Sequence, residues 1–268
     1  LSRFDVRLKG TLVGIGATFS FQNDEIVVTH LIDGAPAQLA GIRKGDVLHR
    51  IAGVSTVNMP LREVSRRVRG ALGTELELTF TRRGVELDMR VTRARVVVPN
   101  VSHRILTGNV GYLKIDHFSQ QTSENMRQSL LALKEKGALE AGLVVDLRDN
   151  TGGSMKQAAR AVDHFVSEGL LLRTAGPDGG RVQNLQARME ATESEEDIFA
   201  PIVVLVDGRT ASGSEILAGA LVQLQRAVLV GSATYGKGTV QKIYTLGTEA
   251  RLKLTVARYI LEEGLQIT

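Results

Sequence analysis

The chain has 268 residues, 33 basic against 29 acidic side chains, a net charge of +4 and a pI near 9.5, and its 43% hydrophobic and 23% charged content is that of a folded globular protein. That length accommodates two domains of ordinary size without disulfide or metal staples. No apolar run approaches the roughly 18 residues that span a bilayer; the absence of cysteine removes thiol nucleophiles and thiolate metal sites, and 4% aromatics without Trp leave no stacking platform for nucleic acid.

Residues 12–93 read as a compact mixed unit. Val13 to Ala17 leads into the alternating strand Thr18-Phe19-Ser20-Phe21, a polar turn over residues 22–25 and a second strand at Ile26-Val27-Val28. Pro36 to Gly41 is one helical turn closed by glycine, and Val47 to Ile51 is a strand. Leu61, Val64 and Val68 recur at helical spacing with arginines opposite, and a hairpin follows around Arg82-Arg83-Gly84. From about residue 95 strands alternate with longer helices, the rhythm of an α/β architecture. Strands are expected at Val110–Ile115, Gly142–Leu147, Ile202–Val206 and Ala227–Val230, and helices at Thr122–Lys136, Ser154–Ser167 and Gly213–Leu224. A hairpin of Val240–Leu246 with Arg251–Tyr259 ends the series, and 173–199, with Gly179-Gly180, read as irregular. Leu1 is not a natural start and reads as a processed or trimmed end, with room for a removed export signal.

Three segments carry candidate chemistry. Thr210-Ala211-Ser212-Gly213-Ser214-Glu215 joins a buried strand to a helix, so Ser212 sits where free N–H groups and the helix dipole favour a nucleophile and its oxyanion. The same residues also spell a capping box, Ser212 with Glu215, and alone they read first as that. Gly236-Lys237-Gly238-Thr239-Val240-Gln241 offers a lysine between glycines. Extended geometry would put Lys237, Thr239 and Gln241 on one side, with Gln241 placed to orient the amine. A phosphate loop is excluded because position 232 is Ser and a Gly follows Lys237. Asp146-Leu147-Arg148-Asp149-Asn150-Thr151-Gly152-Gly153 ends a buried strand in a loop whose N–H groups could converge on an oxyanion; an ordinary strand-to-helix turn is the plainer account. The histidines, His30, His49, His103, His117 and His164, show neither metal-ligand spacing nor a Gly-x-Ser-x-Gly elbow, so a zinc hydrolase and a histidine-dependent serine hydrolase drop out and no metal site is expected.

The order and spacing of these segments resemble the carboxy-terminal processing, or tail-specific, proteases of the S41 serine peptidase family. The family's Ser-Ala-Ser-Ala-Ser-Glu-like segment falls on Thr210 to Glu215, its Gly-Lys-Gly-x-x-Gln segment on Gly236 to Gln241, and its Asp-Leu-Arg-x-Asn-x-Gly-Gly-like segment on Asp146 to Gly153. Gly14-Ile15-Gly16-Ala17, Gly34-Ala35-Pro36-Ala37, Gly45-Asp46 and Arg69-Gly70 resemble the PDZ domain those proteases carry. The chain departs from the family pattern in Gly213 after the serine, where alanine is usual, in Thr151 before the paired glycines, where proline is common, and after Tyr259, where Thr-Pro-Ser-Gly is expected.

The resemblance implies an α/β protein in two parts: a mixed α+β PDZ domain over 12–93 and a crotonase-like α/β serine protease core over 95–268. It implies a Ser–Lys dyad of Ser212 and Lys237, 25 positions apart, assisted by Gln241. An oxyanion hole would use Gly213 with Gly152 or Gly153, a choice the sequence leaves open. Gly14, Ile15, Gly16 and Ala17 would receive a peptide C-terminus, with Leu61, Val64 and Val68 either lining the groove or filling the core. Arg69 would link peptide binding to the protease. The expected partners are protein or peptide substrates with apolar C-termini; no cofactor and no nucleic acid are expected, and the oligomeric state, homo-oligomer or not, stays open. The family is usually exported, to a periplasm, cell envelope or thylakoid lumen. The rival reading is a peptide-binding adaptor on a catalytically inactive protease fold.

Overall fold

The computed structural model describes residues 10–176, 188–246 and 250–261, and falls into two compact units, residues 10–99 and residues 100 onward. In the first, β1 (Thr11–Gly14), β2 (Ala17–Gln22) and β3 (Glu25–Leu31) precede the short helix α1 (Pro36–Leu39). Then come β4 (Val47–Ile51), β5 (Val54–Ser55), α2 (Leu61–Val68), β6 (Glu75–Arg82), β7 (Val85–Thr92) and β8 (Ala94–Val97). An antiparallel sheet runs β2-β3-β4-β6-β7, with β5 on β4, and β1 pairs separately with β8. Both expected hairpins form: Asn23 and Asp24, and then Arg83 and Gly84, supply the positive φ that tight two-residue connections need.

Ile26, Val28, Leu48, Leu78 and Phe80 of this sheet pack with α2 in one core. Val64 and Val68, at 0% and 6% exposure, belong to that core rather than to an open groove; Leu61 alone stays half-buried at its margin. Each apolar side chain so buried contributes about 1.5–3 kcal/mol. Asp46 fixes the turn before β4. Its carboxylate accepts from Arg82 Nε at 2.7 Å and from the Arg43 N–H at 2.8 Å.

The second unit contains β9 (Val101–Leu106), β10 (Val110–Ile115), α3 (Thr122–Glu135), β11 (Leu143–Asp146), α4 (Met155–Asp163), β12 (Leu170–Ala175) and β13 (Arg188–Glu190). These are followed by β14 (Ile202–Val206), α5 (Gly213–Gln223), β15 (Ala227–Gly231), β16 (Thr239–Leu246) and β17 (Ala250–Ile260). Its main sheet has the order β15-β14-β11-β10-β9, parallel except for antiparallel β9, and a second antiparallel sheet runs β13-β12-β17-β16. Alternate residues of β10 and β14 (Leu113, Ile115, Ile202, Val204) are buried, and α3 turns Met126, Leu130 and Leu133 into the same core. Helix α5 is buried almost throughout, which matches its nearly continuous apolar sequence.

Most expected elements appear within a residue or two. The helix expected over Ser154–Ser167 stops at Asp163, with Ser154 as its N-cap, because Phe165 and Val166 are drawn into the core beyond the helix end. The stretch from 173 to 199 is not wholly irregular: β12 runs to Ala175 and β13 holds Arg188–Glu190, while Gly179-Gly180 lie outside the described residues. Among the described residues no helix is long and apolar enough to cross a membrane.

Candidate active site

Strands β11, β14 and β15 are parallel neighbours, with Asp146 opposite Leu205 and Val206 opposite Gly231. The segments that follow them, 147–154, 207–212 and 232–238, therefore leave the sheet at one end, the carboxyl end where open α/β sheets bind ligands. These are the three segments singled out in the sequence. Topology thus gathers residues about 25 to 90 positions apart into one place.

Backbone and side-chain hydrogen bonds lace the first two segments together. Asn150, 0% exposed, donates through Nδ2 to Ile115 O at 2.8 Å, and its own carbonyl accepts from the Ala211 N–H at 3.0 Å and Ser214 Oγ at 2.9 Å. Thr210 Oγ1 donates to Leu147 O at 3.0 Å, and Asp207 accepts from the Asp149 and Thr210 N–H groups. Phe118 locks the glycine pair: its N–H donates to Gly152 O at 3.1 Å and its carbonyl accepts from the Ser154 N–H at 2.8 Å.

Ser212 caps α5 with φ 56° and ψ −114°, a conformation L-residues rarely adopt. Such strain costs of order 1–3 kcal/mol and persists only where the surroundings enforce it. Here Gly152 is part of the enforcement. A Cβ on it would lie 2.6 Å from Ala211 O and 2.8 Å from both Gly213 N and Ser212 Cβ, so only glycine lets the loop come this close. The Gly152 N–H is already committed, donating to Asn150 Oδ1 at 2.9 Å. Gly153 N lies 3.5 Å from where a Gly213 Cβ would stand, and neither the Gly153 nor the Gly213 N–H has a hydrogen-bond partner among the described residues. Of the two candidate glycines, Gly153 is the one with a free donor beside Gly213.

The expected partnership of Ser212 with Glu215 is formed, Glu215 Oε2 accepting the Ser212 N–H at 2.6 Å. Glu215, 4% exposed, also holds the third segment. It accepts from the Lys237 N–H at 2.9 Å, the Gly236 N–H at 2.6 Å and Thr234 Oγ1 at 2.8 Å. Lys237 is thereby fixed by its main chain near Ser212, with its side chain half-buried. Gln241 is exposed in β16 opposite Thr255, beside a bulge in the β16–β17 ladder, and no hydrogen bond joins it to Lys237 among the described residues. The structure brings Ser212, Gly213, Gly152, Gly153 and the Lys237 backbone together, and Gln241 stands four residues beyond Lys237 on β16.

One residue that sequence reasoning missed is Tyr259. It is 5% exposed, its N–H donates to Gly238 O at 2.9 Å, and its phenol lies beside the Ser212 side chain. Burial pushes the phenol above its ordinary pKa, and the neighbouring Ser212 hydroxyl acts the other way without reversing it, so Tyr259 is a neutral hydroxyl beside Ser212. The only hint in the sequence was the final hairpin, whose pairing puts Tyr259 across from Gly238.

In the first unit, Gly14 ends β1, Ile15 is buried with its carbonyl accepting the Ala37 N–H of α1 at 2.8 Å, and Gly16 takes φ +76°. A Cβ on Gly16 would meet Ala35 Cβ at 2.3 Å, which accounts for glycine there. Ala17 opens β2, an edge strand with one side unpaired. Arg69 caps α2, and its Cγ lies 3.8 Å from the Cβ position of Gly14.

The second unit thus places a serine in a rare backbone conformation at a helix N-terminus, two glycine N–H donors beside it and a lysine loop tied to the same carboxylate. Comparison with known proteins gives the family. The profile of Peptidase family S41 matches residues 109–268 and that of the PDZ domain residues 5–81, and the chain belongs to peptidase family S41, with a PDZ domain ahead of the peptidase domain. It is 35% identical over 263 residues to a carboxy-terminal-processing protease of Bartonella bacilliformis, covering 97% of this chain and 59% of that one. It is 33% identical over 262 residues to the carboxy-terminal processing protease CtpA of Bacillus subtilis, covering 97% and 55%. Among solved structures it is similar to a photosystem II D1 C-terminal processing protease, with 29% identity, a TM-score of 0.56, and coverage of 97% of this chain and 70% of that one. The chain spans a little over half the length of these two curated relatives.

Proposed function

We propose that this protein is a serine endopeptidase that cleaves unfolded or tagged proteins, recognising them by apolar C-termini through its PDZ domain. The observation that carries the reading is the meeting of three sequence-distant segments at one end of the parallel sheet, with the main chains of Ser212 and Lys237 on a single carboxylate oxygen. Ser212 Oγ attacks the scissile carbonyl while the amine of Lys237 takes its proton. The N–H groups of Gly213 and Gly153 receive the oxyanion, each donor of this kind being worth about 10²–10³ in rate. Protonated Lys237 then donates to the leaving amine as the C–N bond breaks. Water, giving its proton to Lys237, hydrolyses the acyl-enzyme and frees Ser212. Gln241 enters as the group that orients the Lys237 amine, which Gln241→Ala tests through kcat.

In the PDZ unit, the peptide adds as a strand to the open edge of β2, with its terminal carboxylate on the N–H groups of Gly14 to Ala17. Arg69 beside Gly14 couples that occupancy to the protease; peptide-stimulated cleavage that survives Arg69→Ala unchanged would remove it from the account. The family's usual export to a periplasm, cell envelope or thylakoid lumen is the localisation we propose.

The test is digestion of an unfolded, apolar-ended protein by the parent chain, Ser212→Ala and Lys237→Ala. Cleavage by the parent and by neither variant is expected. Cleavage surviving in either variant contradicts the dyad, and binding of C-terminal peptide without any cleavage by the parent favours the adaptor.

A further inference from the structure

Glu215 takes no part in the chemistry above, yet both halves of the site meet on it. Oε1 accepts from Thr234 Oγ1 at 2.8 Å and the Gly236 N–H at 2.6 Å; Oε2 accepts from the Ser212 N–H at 2.6 Å and the Lys237 N–H at 2.9 Å. A helix cap needs only the bond to Ser212. The other three come from a segment 19 to 22 residues further along the chain, which also meets the Ser212 loop through the Tyr235 N–H on Thr210 O at 2.9 Å.

We propose that Glu215 is a positioning residue that sets the separation between nucleophile and base, by clamping the lysine loop onto the first turn of the serine's own helix. The inference rests on the assignment of Ser212 and Lys237. Its physics is that of donor counting. All four partners are donors, and a carboxylate is the side chain that offers two oxygens and no donor of its own. The carboxylate also sits at the N-terminus of α5, where the helix dipole favours negative charge. At 4% exposure, water does not readily replace a lost acceptor. Glutamine has the same shape but presents an NH₂ where two donors already point, so one side of the clamp becomes repulsive. The lysine loop would then move relative to Ser212, and a displacement of 1 Å can cost about 10²-fold in rate.

The experiment compares the parent chain with Glu215→Gln, Thr234→Val, Ser212→Ala and Lys237→Ala. The readouts are kcat and KM on an apolar-ended peptide, the rate of labelling by a fluorophosphonate, and thermal melting. Glu215→Gln is expected to lower kcat and the labelling rate together by about 10²-fold with KM within threefold, while the PDZ unit still binds peptide. Thr234→Val, which deletes one clamp bond and keeps the side-chain shape, covers the case in which Glu215→Gln does not fold. It is expected to lower kcat by about fivefold at unchanged KM. A Glu215→Gln protein with kcat near the parent value, a loss confined to KM, or a Thr234→Val protein with parent kcat would overturn the clamp. A parent chain labelled at Ser212 and inactive as Ser212→Ala or Lys237→Ala separates these failures from failure of the dyad, which would take the clamp with it.

Discussion

Replacing Ser212 by glycine should leave a more stable protein than replacing it by alanine, the reverse of the usual order inside a regular element. Both substitutions delete Ser212 Oγ and its contact with the neighbouring Tyr259 phenol, so those losses cancel in the comparison. What remains is the backbone. At φ 56° and ψ −114° an L-residue carries about 1–3 kcal/mol of strain that glycine does not. Glycine gives back about 0.5–1 kcal/mol because its unfolded chain has more freedom to lose. The difference is about 1 kcal/mol in favour of Ser212→Gly, and N-cap preferences, which also rank Gly above Ala, point the same way. For a unit of 150–250 residues that amounts to about 2–4 °C in the melting temperature. Differential scanning calorimetry of the two variants under one set of conditions measures it. If Ser212→Ala melted at or above Ser212→Gly, the elbow would not be strained, and the reasoning from its dihedral angles would fail.

The remaining predictions concern the neighbours of that elbow and the first unit. Gly152→Ala puts a Cβ 2.6 Å from Ala211 O at φ +92°, and should displace the oxyanion donors, lowering kcat by about 10²–10³ and the melting temperature with it; kinetics and a melt on the same preparation check both. Tyr259→Phe keeps the ring in place and removes the hydroxyl beside Ser212, so fluorophosphonate labelling should slow by about fivefold with peptide KM unchanged. For Asp46, burial pushes the carboxyl up, but the hydrogen bonds from Arg82 and the Arg43 N–H, with the arginine charges, outweigh it and leave the pKa below its ordinary value. A depressed carboxyl stabilises the fold above its unfolded pKa, about 3.9, and loses that contribution as pH falls through the folded value. The PDZ transition of the parent should therefore weaken below about pH 4, and that of Asp46→Asn should start lower and change less over the same range.

The parts of the fold that could be read ahead of the structure were those whose side chains repeat their environment. Strands β10 and β14 alternate buried with half-buried residues, and α3 shows Met126, Leu130 and Leu133 at helical spacing because one face meets the core. Strand β9 was not legible. Ser102, His103, Arg104 and Ile105 are all exposed at the sheet edge, so the segment is a strand by its backbone pairing with β10 and carries no inward period. The short pair β1 and β8, and the strands β12 and β13 that frame a polar stretch, depend in the same way on partners distant in sequence.

At the site, Ser212, Lys237 and the two glycines could be named from motif order. The choice of Gly153 over Gly152 could not, because it turns on where Asn150 Oδ1 points. Glu215 was legible as a cap, since that bond is local, but not as a clamp, since its other three donors lie on the loop after β15. Gln241 was expected on the Lys237 side from simple alternation. The structure has Lys237 before the start of β16, Gly236 at positive φ, and a bulge beside Gln241.

The central claim is that Ser212 is a nucleophile activated by Lys237. Its most direct measurement is the site and rate of fluorophosphonate modification of the intact chain, read by peptide mass spectrometry, in the parent and in Lys237→Ala. The account predicts a single adduct on Ser212 in the parent and a loss of at least about 10² in its rate of formation without the lysine. An adduct on another serine, or one on Ser212 that forms as fast in Lys237→Ala, would contradict it.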